Sequence, residues 1–193
     1  MMPLLLGLIV FLGVHSLQIF ADDGRGRLIT RLGESQFKLT YSALSLIGLL
    51  LIIFGYSEAR ADASLLWSPP TGLRHLAFLL VPVAFILVAS AYSPTGHIKA
   101  VVRHPMVLGV AVWALAHLLV NGTDADLVLF GGFLAWALVD YASALRRTAT
   151  GTAQATAAKS LRGDMIAVLA GLVLSGAFLF GLHGWLIGVP LLG

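Results

Sequence analysis

Residues 38–56 read KLTYSALSLIGLLLIIFGY. Beyond Lys38 the stretch carries no charge, and its apolar residues run on without the alternation of a strand. Its length is close to the roughly 20 apolar residues that carry a helix across a bilayer core. In that core every backbone amide needs an internal partner, so the run predicts a membrane helix. Ser45, Gly48 and Gly55 are spaced along it. Small residues of this kind let helix backbones approach where lipid gives no hydrophobic reason to associate.

Five further runs have the same character: 3–20, 75–92 (with Pro82), 105–120, 127–145 and 165–182, the last reaching toward 189. The predicted fold is all-α: one integral membrane bundle of six transmembrane helices, a single domain over residues 1–193. Composition agrees. Of the 193 residues, 59% are hydrophobic and 11% charged, with mean hydropathy +0.94. A soluble domain is about 25% charged. These values exclude a soluble enzyme, a disordered segment and a nucleic-acid reader; the expected partner is the lipid bilayer, not nucleic acid. There are no cysteines, hence no disulfide, thiolate ligand or cysteine nucleophile. The first run has no Lys or Arg before it and exceeds a typical signal-peptide core, so it reads as a retained anchor.

Charge predicts the orientation. Arg25, Arg27, Arg31 and Lys38 flank the first connection, Lys99 and Arg103 the third, and Arg146, Arg147, Lys159 and Arg162 the fifth. Only Arg60 and Arg74 lie on the other side. By the positive-inside rule the odd connections are cytoplasmic and both termini lie on the non-cytoplasmic side. The fifth connection, around residues 148–153, reads as a mobile connector or a short surface helix. Trp67, beside Pro69 and Pro70, reads as an interfacial anchor.

Six histidines are the main chemical candidates. His75, His97, His104 and His183 fall near span ends, where an imidazole is easily solvated. His15 and His117 fall inside spans, where an ionisable residue points to function unless a neighbouring helix satisfies it. Pro105, Gly109, Trp113, His117 and Asn121 recur every four residues and form one stripe. On that stripe Gly109 leaves room for a flat group, Trp113 packs on it, His117 ligates it and Asn121 adds a polar contact. Two imidazoles without cysteine or carboxylate fall short of a zinc site. They suffice for a haem iron, whose porphyrin fills the other positions. His15 and His117 are thus the predicted metal ligands, although they sit at different depths, and His104 competes as the partner of His15. Arg103, Arg31, Arg74 and Asn121 are candidates to meet the propionates. Asp140 is expected to pair with Arg146 or Arg147, and Tyr41 and Ser42 to line an inner cavity.

These residues carry a resemblance to the NnrU family of bacterial membrane proteins. It runs almost end to end: His15-Ser16-Leu17, Arg31-Leu32-Gly33-Glu34, Tyr41-Ser42, Gly55-Tyr56, the stretch from Arg103-His104-Pro105 to Gly109, the stretch from Trp113 to Gly122 that holds His117, and Phe130-Gly131. The resemblance implies a multi-pass protein of the bacterial inner (cytoplasmic) membrane, associated with nitrite and nitric oxide metabolism in denitrification. The family is in turn similar to 15-cis-zeta-carotene isomerases, membrane haem b enzymes with histidine axial ligands. That similarity implies haem b on His15 and His117. The isomerase's Trp-Cys-x-x-His element falls on Trp113 to His117, with Ala114 in place of the cysteine. A second, local similarity joins Arg103-His104-Pro105 to membrane methyltransferases that use S-adenosylmethionine.

Three functions follow as expectations. The first is a haem b protein that handles nitric oxide or isomerises a polyene, a hydrophobic small molecule. The second is a non-enzymatic assembly factor for a denitrification enzyme. The third is a methyltransferase, disfavoured because no glutamate follows Glu58.

Overall fold

The computed structural model describes residues 1–150 and 159–192. Its helices are α1 (Met2–His15), α2 (Leu17–Phe20), α3 (Asp22–Leu32), α4 (Glu34–Ala61), α5 (Leu73–Tyr92), α6 (His97–Val102), α7 (Pro105–Leu118), α8 (Asp124–Thr150), α9 (Leu161–Ala177) and α10 (His183–Ile187). A π-helical segment, Phe178–Leu182, joins α9 to α10. No sheet forms among the described residues; the one strand-like contact is an isolated bridge between Leu65 and Thr123.

The expected six spans become four. Glu34–Ala61, Leu73–Tyr92, Asp124–Ala149 and Leu161–Ile187 are long and apolar enough to cross a membrane. The run at 3–20 instead yields the 14-residue α1 followed, past Ser16, by the four-residue α2, and the run at 105–120 yields the 14-residue α7. At 1.5 Å per residue α1 and α7 are each ~21 Å long, short of the ~30 Å hydrocarbon core. The early ends have local causes. Ser16 Oγ donates to the Leu12 carbonyl at 2.6 Å, and the chain turns at Ala21 (φ −143°). Past α7, the Val120 and Asn121 amides both turn back to the His117 carbonyl. The first connection is also not a loop. It folds as α3, an exposed basic helix whose Arg25 guanidinium lies 5.7 Å from the Phe37 ring centre. In the fifth connection α8 continues to Thr150, and residues 151–158 lie outside the described residues.

The long helices stand in the order α4, α1, α8, α7, α5, α9. Small residues make the seams. A Cβ on Gly7 would sit 2.6 Å from Ile52 N, one on Gly48 2.8 Å from Phe11 N, and one on Gly55 against the Leu4 backbone. The pairs 7/52, 11/48 and 4/55 define an antiparallel register in which α1 lies directly on the α4 backbone. Gly171 of α9 meets Ile86 of α5 as closely. Fully buried positions are mostly alanine (Ala114, Ala116, Ala125, Ala137), while Phe54 and Phe180 are 69% and 78% exposed. Small inside and large apolar outside is the pattern of helices packed in lipid. The protein is a helical membrane protein.

Gly48→Val is therefore expected to lower the melting temperature in detergent, by the ~1–3 kcal/mol typical of overpacking. Gly13 has open space around it, so Gly13→Ala is expected to leave stability unchanged or raise it. Equal effects of the two substitutions would show that the seam is not where the structure puts it.

Candidate functional site

Two clusters of rings hold the two intramembrane histidines. His15 closes α1 and stacks on Phe11 with centroids 4.3 Å apart. Tyr41 of α4 and Trp136 of α8 meet it edge-on at 5.3 and 6.1 Å. His117 lies one residue before the end of α7 and stacks on Phe130 of α8 at 4.6 Å, with Trp113 at 5.0 Å. The i+4 spacing of Trp113 and His117 puts both on the face of α7 that meets α8.

Each imidazole is held by its own helix. His15 Nδ1 lies 2.7 Å from the Phe11 carbonyl, and His117 Nδ1 lies 2.9 Å from the Trp113 carbonyl. A carbonyl only accepts, so both Nδ1 atoms carry the proton and both Nε2 atoms keep a lone pair. This is the tautomer of a metal-ligating histidine, whose second nitrogen is fixed by a backbone acceptor.

The two histidines do not meet. A chain of rings links them: Phe11 to Phe133 at 5.9 Å, Phe133 to Trp113 at 5.6 Å, then Trp113 to His117. Their neighbours on α8, Trp136 and Phe130, are six residues apart, ~9 Å along the helix axis. Moreover α1 packs on α4 and α8, while α7 packs on α8 and α5. One haem iron clamped by His15 and His117 does not fit this arrangement, because aromatic side chains fill the interval. Taken singly, His117 does fit a haem iron, by its tautomer and its aromatic surround.

The other expected site residues scatter. Gly109 opens no groove: a Cβ there would lie 2.8 Å from Val88 Cγ2 and 2.9 Å from the Ala84 carbonyl, so its space belongs to the α5–α7 seam. Asn121 Nδ2 donates to the His117 carbonyl at 2.9 Å and ends α7. His104 Nε2 lies 2.9 Å from Thr148 Oγ1, and its ring meets Tyr141 rather than His15. Arg103 (φ 60°) is the described non-glycine residue with positive φ, and it turns the chain from α6 into Pro105. Arg103 and His104 thus shape a corner and do not join the His15 or His117 ring clusters. Asp140 does meet Arg147, at 3.5 Å.

Three features escaped the sequence reading. His183, placed there among solvated interfacial residues, has its ring 6.5 Å from that of His117 with planes 20° apart. Beside His15, Trp136 Nε1 is buried with no hydrogen-bond partner among the described residues; Ser45 Oγ shares that state. Asp126, 5% exposed in the first turn of α8, accepts from Tyr56 Oη at 2.7 Å and from the Thr123 hydroxyl at 2.7 Å and amide at 3.0 Å. The sequence signal for it was Thr123-x-x-Asp126, a capping box. Asp126→Ala removes the cap and strands the Tyr56 hydroxyl, so it is expected to cost ~1–3 kcal/mol. Tyr56→Phe is expected to cost less, and thermal melts of the two variants in detergent check the order.

No solved structure gives a significant match. Among curated proteins, the chloroplastic 15-cis-zeta-carotene isomerase of Zea mays is 27% identical over 148 residues. That alignment covers 68% of this chain and 40% of the maize protein, so the chain spans about two-fifths of its relative's length. The profile described as NnrU protein matches residues 3–191, the two ring clusters and His183 included, and the chain belongs to the NnrU family.

Proposed function

We propose that this is a haem b membrane protein of the polyene-isomerase type, with His117 supplying an iron ligand. The observation that carries the reading is the state of His117: Nδ1 bonded to the Trp113 carbonyl, Nε2 left with its lone pair, and the ring stacked on Phe130. The kinship with a zeta-carotene isomerase supports an apolar, conjugated substrate that reaches the protein through lipid. Haem iron would supply a redox-responsive Lewis acid at that site. The chain's own part is to fix the imidazole tautomer and to keep bulk water out with Phe130, Trp113 and Tyr56.

Ala114 stands where the isomerase resemblance calls for cysteine, and it is fully buried. A ligand exchange through that position is therefore absent here, and any isomerisation has to proceed without it. The link to nitric oxide chemistry, implied by the family resemblance, would rest on the same iron, to which nitric oxide would bind as a ligand beside His117. An assembly role for a denitrification enzyme is the reading left if the protein takes up no haem.

The test is a visible spectrum of protein purified from haem-replete cells. A Soret band with sharp reduced α and β bands, lost in His117→Ala, is expected. Absence of haem uptake by the unmodified protein would end this reading.

We also propose a bacterial cytoplasmic membrane with both termini on the non-cytoplasmic side, a topology in which the short α1 and α7 cross a locally thinned bilayer beside the four long spans, α1 lying antiparallel along α4 with Leu4 against Gly55 and Phe11 against Gly48. The support is the charge bias, with Arg25, Arg27 and Arg31 on α3 and Arg146 and Arg147 at the far end of α8. The chain lacks cysteine, so single cysteines report sidedness cleanly. In right-side-out membrane vesicles, an impermeant maleimide is expected to label Thr71→Cys and spare Asp23→Cys. The reverse pattern would invert the topology.

A further inference from the structure

Helix α3 sits between two sharp turns, one at Ala21 (φ −143°) and one at Gly33, whose φ of +80° suits glycine. It packs beside the start of α4, where Arg25 lies over the Phe37 ring. The uncharged apolar run of α4 begins just past Lys38, so α3 stands where the hydrocarbon layer gives way to headgroups.

Residues three and four apart share a helix face, and one face of α3 carries both signs of charge. Asp22 and Asp23 open it, Gly26 and Arg27 follow one turn on, and Thr30 and Arg31 close it; together they line a groove of about 690 Å³. The groove is open over Gly26, where an added Cβ would meet nothing within 4 Å. Asp23 and Arg27 have the i,i+4 spacing of a helical ion pair, yet they do not close one. The printed-length ion pairs among the described residues are Glu34–Lys38, His97–Asp164 and Asp140–Arg147, none of them on α3. Two carboxylates and two guanidiniums thus share one groove, about one turn (~5.4 Å) apart along the helix, without neutralising each other.

The neighbouring strip of α3 is apolar: Leu28 and Leu32 are exposed, as is Phe20 at the end of α2. A helix with charge on one side and exposed apolar side chains beside it lies in the plane of the membrane interface. The occupant that fits has acyl chains for the strip, an anion for Arg27 and Arg31, and a hydrogen-bonding cation for Asp22 and Asp23. Free phosphate supplies only the anion. Phosphatidylglycerol lacks the cation. Phosphatidylcholine has one, but a quaternary ammonium carries no N–H to donate. Phosphatidylethanolamine has all three: chains, a phosphate that suits guanidinium forks, and a primary ammonium with three donors.

We propose that α3 binds the headgroup of phosphatidylethanolamine, its phosphate on Arg27 and Arg31 and its ammonium on Asp22 and Asp23. The site stands apart from both ring clusters and does not depend on the haem reading.

The test uses the full chain in detergent micelles, titrated separately with dioleoyl phosphatidylethanolamine, phosphatidylcholine and phosphatidylglycerol, with bound lipid counted by native mass spectrometry. The unmodified protein is expected to hold phosphatidylethanolamine about tenfold more tightly than either other lipid, the gain of one charge-assisted hydrogen bond. Asp22→Asn with Asp23→Asn is expected to erase the preference over phosphatidylcholine without weakening phosphatidylglycerol. Arg27→Gln with Arg31→Gln is expected to weaken all three. All four side chains are exposed, so melting temperatures are expected to stay unchanged, which separates a lost site from a lost fold. Equal binding of phosphatidylethanolamine and phosphatidylcholine by the unmodified protein would overturn the proposal. Tightest binding of phosphatidylglycerol would overturn it too, making α3 a general basic surface. A preference that survives the aspartate substitutions would remove the site from α3.

Discussion

In lipid, nothing drives helices together except fit, and the fit here is made by atoms that are missing. Gly7, Gly48 and Gly55 bring α1 onto the backbone of α4, and Gly171 brings α9 onto α5. Each seam fixes an antiparallel register to within a residue. Those registers decide which rings meet. With Phe11 seated against Gly48, His15 arrives beside Tyr41 one turn away. With Gly109 seated against Ala84 and Val88, the stripe it starts turns ~40° at each i+4 step and carries Trp113 and His117 round to α8. The site depends on the glycines without containing one.

Between the seams, α8 acts as a shared wall. It gives Trp136 to His15, Phe133 to the middle of the ring chain, and Phe130 to His117. At its start, Asp126 holds Tyr56 of α4 and the Thr123 cap, so the end of the bundle near His117 is tied down by hydrogen bonds. At the opposite end, Asp164 caps α6 through the His97 and Ile98 amides, at 2.9 and 3.0 Å. Both imidazoles sit among aromatic rings with Nδ1 held by a backbone carbonyl, at different depths.

Much of this was legible in the sequence. The long apolar runs fixed an all-helical membrane protein, and the i+4 ladder from Trp113 to His117 did fall on one face. The depth mismatch between His15 and His117 was also visible by counting residues. The rest was hidden for physical reasons. Helix ends depend on side chains that turn back on the backbone, as Ser16 does, so two runs became 14-residue helices. Gly109 looked like room for a ligand because a sequence cannot say which neighbour fills a glycine's space. His183 looked interfacial because its approach to His117 requires a π segment, and hydrophobic periodicity does not announce one.

The two intramembrane histidines stand in separate ring clusters, and of the two only His117 is proposed as a ligand to haem iron. The most direct measurement is the visible spectrum of haem-loaded His15→Ala beside that of haem-loaded His117→Ala. His15→Ala is expected to keep the iron ligation of the unmodified protein, and His117→Ala to lose it. Equal loss in both variants would contradict it, because a single iron would then be shared across the ring chain.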